Sequence, residues 1–176
     1  FANLPQAFSG PREQFEARVA QLRVVLDQTL GSIRDLAMGL RPSLLDDLGL
    51  TPALQWQARE FSRRADVPVT VNVAADLTFL GDAERTAIYR VVQEALTNCA
   101  RHSQARSISV SIRPEKAGIE LTVEDDGIGY GQRQGLGLLG MKERIRALGG
   151  SLAVLERSPH GTVVKATIPR TREAVA

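Results

Sequence analysis

The sequence predicts an α+β fold, in which one mixed sheet is covered by helices on one face and a long helix precedes this α/β sandwich. Three observations support this class. Apolar residues recur alternately four and three positions apart between residues 15 and 40, which is typical of a long helix with a heptad seam. Apolar residues at helical spacing fill residues 82–102, and short strand-like runs lie on either side of them. Strands mixed with helices in this way predict a single sheet with helical cover.

Composition and charge are those of an ordinary soluble protein. The chain has 176 residues, of which 43% are hydrophobic and 24% charged, enough for one core and a smaller appendage. The net charge is only +2 and no basic run is present, so nucleic acid is not an expected partner. A single cysteine excludes an internal disulfide, and no apolar stretch reaches the roughly 18–20 residues of a membrane span. Residue 1 is Phe and no charged-then-apolar leader follows, so the chain is either soluble throughout or a fragment of a longer protein. We expect a cytoplasmic fragment, with any membrane anchor outside this sequence.

The long helix is predicted to run from about Pro11 to Arg41, where Pro42 stops it. Its heptad seam consists of Phe15, Val19, Leu22, Leu26, Thr29, Ile33, Leu36 and Leu40. A helix of about 30 residues is about 45 Å long, which exceeds the width of a small domain. We therefore expect it to project and to pair with helices of another chain; packing against its own domain is the alternative.

The rest of the chain is predicted to form the sandwich. A turn from Pro42 to Gly49 leads into a helix that Thr51 caps and Pro52 begins, and this helix is expected to bury Leu54, Ala58 and Phe61, with Trp56 near its edge. The later elements are predicted as strands at 67–73, 107–114, 118–126, 151–156 and 161–169, a helix at 82–102, a glycine-rich stretch at 127–140 that runs into a helix ending at 149–150, and a frayed tail at 170–176.

The helix at 82–102 carries the first polar cluster. Glu94 and Asn98 are four residues apart and share a face, and Arg90 and His102 extend the same row. Hard oxygen ligands suit Mg²⁺, which keeps several of its waters, and the cationic side chains suit phosphates. The alternative is a solvated helix face without a ligand.

Two glycine-containing segments follow. In "EDDGIGY", Asp125 and Asp126 come at the end of an apolar strand, and Gly127 and Gly129 allow a sharp turn and the close approach of a ligand. A DxGxG string alone is a weak signal, because turns often have this composition.

In "GLGLLGMKERIRALGG", Gly135 and Gly137 precede a helix whose free N–H groups and dipole favour phosphate. The segment contains no Walker A loop, and its GxGxxG string lacks the surrounding βαβ unit of a dinucleotide site.

The order of these segments is more specific than any one of them. "QEALTNCARHS", "EDDGIGY", "GLGLLGMKERIRALGG" and "GTVVKATIP" resemble the N box, G1 box, G2 box and final strand of the ATP-binding domain of histidine kinases, whose GHKL or Bergerat-type fold is shared with DNA gyrase, Hsp90 and MutL. The resemblance covers residues 67–169. "LRPSLLDDLGLTPAL" is similar to the segment that joins the second dimerisation helix to this domain in the HisKA_3 class, the nitrate-sensor and DesK-like kinases. A lid of only "YGQRQ" between Gly129 and Gly135 fits that class.

On the adenine side, the resemblance implies roles for four residues. Asp125 would accept a hydrogen bond from the adenine amino group, and Thr162 would support that carboxylate through a hydrogen bond. Gly127 and Gly129 would let the ring pack against the backbone. Cys99 is interpreted as a small core residue.

On the phosphate side, the resemblance implies that Asn98 coordinates a Mg²⁺ ion bridging the phosphates, and that Glu94 polarises or positions a metal-bound water. Arg101 and His102 would approach the phosphates, although a structural role for His102 is an equal alternative. The amides of Gly135 and Gly137 would contact the phosphates. Leu138 is placed with the nucleotide-binding residues by its segment, but Leu136, Leu138, Leu139 and Met141 are expected chiefly in the core.

The resemblance also implies a division of the chain. Residues 1–48 would be the inter-helix loop and second helix of a dimerisation domain, and residues 49–176 the ATP-binding catalytic domain. The family phosphorylates a histidine followed by an acidic residue, and neither His102 nor His160 has that neighbour. We therefore expect the acceptor helix to be absent, either because the chain is a fragment or because the protein lacks it.

The full-length protein would form a homodimer through the long helix. It would donate the γ-phosphoryl of Mg-ATP to the missing histidine and onward to a response regulator, expected to be of the LuxR/NarL type. Other readings stay open: a GHKL-type ATPase, for which Glu94 could activate water, an anti-sigma serine kinase, or a nucleotide-binding or dimerisation module without chemistry. The long helix and its joint argue against the two enzyme alternatives.

Overall fold

The structure, a computed structural model, describes residues 43–129 and 136–170. The described residues belong to one compact unit that begins at Ser43. The predicted long helix at 11–41 and the end of the predicted tail lie outside them. In the described part of the chain, no helix combines the length and the apolar character needed to cross a membrane.

The described chain contains four helices and five strands. The helices are α1 (Ser43–Leu48), α2 (Leu50–Ala65), α3 (Asp82–His102) and α4 (Leu136–Ala147). The strands are β1 (Val69–Val73), β2 (Ile108–Glu115), β3 (Gly118–Asp125), β4 (Ser151–Glu156) and β5 (Thr162–Pro169). All the predicted strands and the helix at 82–102 are therefore present, although β1 begins two residues later than expected.

The segment before α2 differs from its prediction. Residues expected to form a turn make the short helix α1, and Leu45 of α1 is buried. Gly49, not Thr51, is the N-cap of α2, because its φ of 79° redirects the chain between the two helices. Pro52 consequently lies inside the first turn, where its missing N–H leaves no helical hydrogen bond unmade. The predicted burial of Leu54, Ala58 and Phe61 is confirmed, and Trp56 is 44% exposed.

The five strands form one mixed sheet in the order β1-β2-β3-β5-β4. β1 pairs with β2 in parallel, and every other neighbouring pair is antiparallel. The predicted hairpin between β2 and β3 pairs Glu115 with Gly118. Beyond β5, Arg170 donates its N–H to the carbonyl oxygen of Ala117 at 2.7 Å, so the predicted frayed tail does not begin at this residue.

Side chains of the central strands alternate between a buried and a polar face. The buried side chains are Ile108, Val110 and Ile112 of β2, Ile119, Leu121 and Val123 of β3, and Val164, Ala166 and Ile168 of β5. They form one core with apolar residues of α2, α3 and α4. The opposite face is polar, and Lys165 forms a salt bridge with Glu120 there at 2.7 Å. This arrangement confirms the predicted sandwich.

Helix α3 crosses this core and has charges suited to its ends. Ala87, Ile88, Val91, Val92, Ala95 and Leu96 are buried. Asp82 and Glu84 lie in the first turn and Arg101 and His102 in the last, which is the distribution that the helix dipole favours. The helix is thus fixed by packing along one side and presents its C-terminal half toward the ends of the central strands.

Candidate functional site

Asp125 is a buried carboxylate at the end of an apolar strand. It continues the buried face of β3 after Leu121 and Val123, and although it is an acidic residue it is only 5% exposed. The N–H of Gly127 donates to its Oδ1 at 2.9 Å, and the thiol of Cys99 lies 3.5 Å from its Oδ2. An ionised carboxylate offers about four acceptor positions, so capacity for a further donor remains.

Thr162 is the partner of Asp125 across the β3–β5 ladder. Directly opposite residues of antiparallel strands place their side chains on the same face of the sheet. The structure therefore places the side chains of these two predicted site residues on the same face of the sheet.

The neighbouring carboxylate, Asp126, has a structural task. Its Oδ1 accepts the backbone N–H groups of Arg106 and Ser107 at 2.7 and 2.9 Å, and its Oδ2 accepts the Ser107 hydroxyl at 2.9 Å. These bonds fasten the loop that precedes β2 and lower the pKa of Asp126 to about 2. Of the two carboxylates, only Asp125, to which the resemblance assigns the adenine contact, lies buried at the end of β3.

The hydrogen bonds of Asp126 predict a loss of stability in acid. The folded-state pKa of about 2 is below the ordinary value of 3.8, so the carboxylate contributes stability above about pH 4 and loses it as the pH falls toward 2. Urea unfolding of the wild type and of Asp126→Asn across this range measures the effect. The wild type should lose more of its free energy of unfolding than the variant, and parallel curves would contradict the assignment.

On α3, the predicted polar row is only partly open to solvent. Glu94 and Asn98 are half-buried, and His102 is exposed. Arg90, in contrast, is only 6% exposed, donates to Oε1 of Gln93 at 2.8 Å, and has its pKa lowered by burial. Within the predicted row, Glu94, Asn98 and His102 are therefore at least partly exposed, whereas the Arg90 side chain packs into the protein.

Glu94 meets the start of α4. A Cβ atom added to Gly137 would collide with the carboxylate of Glu94. The sequence suggested Gly137 as a phosphate-contacting glycine, and the structure shows that this glycine lies against the end of the Glu94 side chain. The predicted oxygen ligand on α3 and the predicted phosphate-binding segment are thus adjacent.

The two glycines of the DxGxG segment differ in their structural roles. A Cβ atom on Gly127 would collide with the backbone carbonyl oxygen of Ser103, which also accepts the N–H of Ile128 at 2.8 Å. Gly127 therefore permits close packing between this loop and the end of α3. Gly129 has a φ of +91°, the left-handed backbone that favours glycine, so the predicted sharp turn lies there.

His160 contacts the backbone of the DxGxG loop. Its Nδ1 lies 2.9 Å from the carbonyl oxygen of Asp126 and 3.3 Å from that of Gly127, so an N–H at this nitrogen donates to the loop backbone. From the sequence, His160 was considered only as a phospho-acceptor, a role that the absence of a following acidic residue excluded. No local pattern indicates this contact, because it joins residues 33 and 34 positions apart.

The remaining predicted residues occupy different settings. Arg101 is exposed in the last turn of α3. Leu138 and Met141 are buried in the core, whereas Leu136 and Leu139 are 85% and 52% exposed, so their predicted core positions are wrong. These two leucines lie on the outer side of the first turns of α4. Gly135 lies outside the described residues.

Comparison with known proteins decides the family. The family described as histidine kinase-, DNA gyrase B- and HSP90-like ATPase matches residues 83–172, about half of the chain. The chain belongs to this family. The match spans α3, the DxGxG loop, α4 and β5, which are the elements that carry every described site residue.

Individual relatives of this ATPase-family chain are sensor kinases. The chain is 32% identical over 165 residues to the signal transduction histidine-protein kinase/phosphatase DegS of Brevibacillus brevis. This aligned region covers 88% of the chain and 41% of the relative. The chain is 31% identical over 152 residues to the oxygen sensor histidine kinase NreB of Staphylococcus carnosus, covering 84% and 44%. The histidine kinase domain of the blue-light activated kinase from Erythrobacter litoralis EL346 has a similar structure, with a TM-score of 0.56, 25% identity, and coverage of 67% and 59%.

These relatives confirm the resemblance to sensor histidine kinases and the GHKL-type fold class. The chain spans less than half the length of the curated relatives it matches. What the comparisons establish for this chain is therefore its family and fold.

Proposed function

We propose that this chain is the ATP-binding catalytic region of a HisKA_3-class sensor histidine kinase, which binds Mg-ATP and donates its γ-phosphoryl group to a histidine outside this sequence. The observation that carries the proposal is the Asp125 carboxylate, which is 5% exposed, fixed at both oxygens, and still able to accept another hydrogen bond. A buried acceptor of this kind matches the amino group of adenine, and the family to which the chain belongs supports a nucleotide as ligand.

The base would be recognised at the ends of β3 and β5. Asp125 would accept the adenine amino group, with Thr162 beside it on the sheet. Gly127 packs closely against the backbone of Ser103, and Gly129 adopts a positive φ, so the loop turns directly beside the carboxylate. These features fit a flat ring that enters edge-on.

The phosphates and a Mg²⁺ ion would lie toward α3 and α4. Among the described residues, no group of three or more histidine, cysteine, aspartate or glutamate side chains could hold a metal ion. Mg²⁺ in phosphate-transfer sites needs only one or two protein oxygens besides the phosphates, and Asn98 and Glu94 supply two on one face of α3. Bound Mg²⁺ would neutralise phosphate charge. Arg101, His102 and the amides of Gly135 and Gly137 would add donors on the same side.

For the whole protein, we propose a homodimeric kinase. Residues 1–48 would form the loop and second helix of its dimerisation domain, and residues 49–176 the catalytic domain. The acceptor histidine would stand on a first dimerisation helix, and the phosphoryl group would pass to a response regulator of the LuxR/NarL type. The catalytic region would work in the cytoplasm, with a membrane anchor elsewhere in the protein.

Calorimetry and phosphoryl transfer test this function. Mg·ADP should bind with a Kd between micromolar and millimolar, about −4 to −8 kcal/mol. With labelled ATP, the chain alone should acquire no acid-labile phosphate on His102 or His160. An added chain with the acceptor helix should become labelled, and Asn98→Ala should remove that transfer. Absence of nucleotide binding would refute the proposal, and phosphate release without any acceptor would favour the ATPase alternative.

A further inference from the structure

We infer that Cys99 is a positioning residue, whose thiol donates a hydrogen bond to Oδ2 of Asp125 and thereby orients the carboxylate for the amino group of adenine. The inference rests on the proposed function, because it assigns Asp125 to adenine. From the sequence, Cys99 was interpreted only as a small core residue.

The two anchors of Asp125 act on different oxygens. The Gly127 N–H holds Oδ1 at 2.9 Å, and the Cys99 thiol holds Oδ2 at 3.5 Å. Rotation of an aspartate carboxylate about its last torsion is soft, so one hydrogen bond leaves the plane of the group free to tilt. A second donor on the other oxygen fixes that plane, and with it the direction of the remaining acceptor positions.

The thiol is the donor of this hydrogen bond. An ionised carboxylate can only accept hydrogen bonds, whereas the Cys99 side chain carries a weak S–H donor. Cys99 is also half-buried at the end of α3, so a role through its hydrogen bond is favoured over a role through reactivity.

The backbone of Cys99 is itself held in place. Its carbonyl oxygen accepts the N–H and the hydroxyl of Ser103 at 3.0 and 2.8 Å. The carbonyl oxygen of Ser103 in turn accepts the N–H of Ile128 in the DxGxG loop. The thiol donor, the end of α3 and the loop that supplies the other anchor of Asp125 are therefore connected, which is what a positioning group requires.

Two nucleotides separate positioning from packing. ADP carries the 6-amino group of adenine, and purine riboside diphosphate has hydrogen in its place. The Kd of the analogue divided by the Kd of ADP measures recognition of the amino group alone. Cys99→Ala should lower this ratio by about two- to fivefold, the range expected for one weak hydrogen bond, with little change in the Kd of the analogue. Cys99→Ser, which keeps a donor of shorter reach, should restore part of the ratio.

A core variant controls for loss of packing. Val92→Ala removes buried methyl groups from the same helix, about two turns before Cys99, and should lower stability without changing the ratio. If the wild type discriminates but Cys99→Ala keeps the full ratio, Cys99 is only a packing residue and the inference fails while the proposed function stands. If the wild type binds both nucleotides equally, the adenine assignment of Asp125 fails, and the role of Cys99 with it.

Discussion

Replacement of Asp125 by alanine is expected to weaken the binding of Mg·ADP by roughly 5- to 150-fold. The amino group of adenine would lose the buried carboxylate that accepts it, and an unpaired buried polar group costs about 1–3 kcal/mol. Calorimetric titration of the wild type and the variant measures the change. A nucleotide without the amino group should bind the two proteins with similar affinity.

Asp126→Asn is the matched control for this experiment. It alters the adjacent carboxylate, whose hydrogen bonds go to Arg106 and Ser107. We expect the control to lower stability and to leave the preference for ADP over the 6-hydrogen analogue intact. Equal affinity of Asp125→Ala and wild type for ADP would show that the buried carboxylate does not recognise adenine.

Gly127→Ala is expected to reduce the free energy of unfolding by about 1–3 kcal/mol, because the new Cβ atom would collide with the backbone of Ser103. A carbonyl group in a capped helix end cannot move without disturbing its neighbours, including the Ile128 hydrogen bond. Chemical denaturation of the purified variant gives the value directly.

Gly137→Ala is the informative comparison. Its Cβ atom would meet the carboxylate of Glu94, the far end of a flexible side chain that can rotate away. Alanine is also a better helix residue than glycine. The free energy of unfolding should therefore change by less than about 0.5 kcal/mol. Equal losses in the two variants would mean that neither contact limits stability as described.

Local periodicity was sufficient to predict most of this fold. α3 and the strands β2 to β5 follow from spacing and turn residues, and the DxGxG segment placed Asp125 correctly at a strand end. The start of α2 was misplaced because Thr51 and Pro52 are good helix-start residues, while the backbone geometry of Gly49 decided the cap. Leu136 and Leu139 were misplaced because an apolar residue type does not show which side of a helix faces the core.

The contacts that define the site were beyond local pattern. Cys99 and Asp125 are 26 residues apart, and the meeting of Glu94 with Gly137 depends on how α3 and α4 pack. Asp125 and Asp126 are adjacent and chemically identical, and only the alternation of β3 directs one inward and the other to the loop before β2. The resemblance assigned the adenine contact to Asp125, whereas the hydrogen bonds of Asp126 to the loop before β2 and the contact of Cys99 with Asp125 required the tertiary structure.

The strand order has a consequence for how the chain folds. The β2–β3 and β4–β5 pairs are hairpins of neighbouring residues, whereas β1 reaches β2 only after the chain has passed through α3. Short-range pairs close at lower entropic cost, so we expect the two hairpins to form first and then to join through β3 and β5. That step brings Thr162 opposite Asp125. The thiol of Cys99 can reach Asp125 only after α3 has packed on the sheet. We therefore expect Asp125 and Thr162 to be paired in the sheet before the hydrogen bond from Cys99 forms.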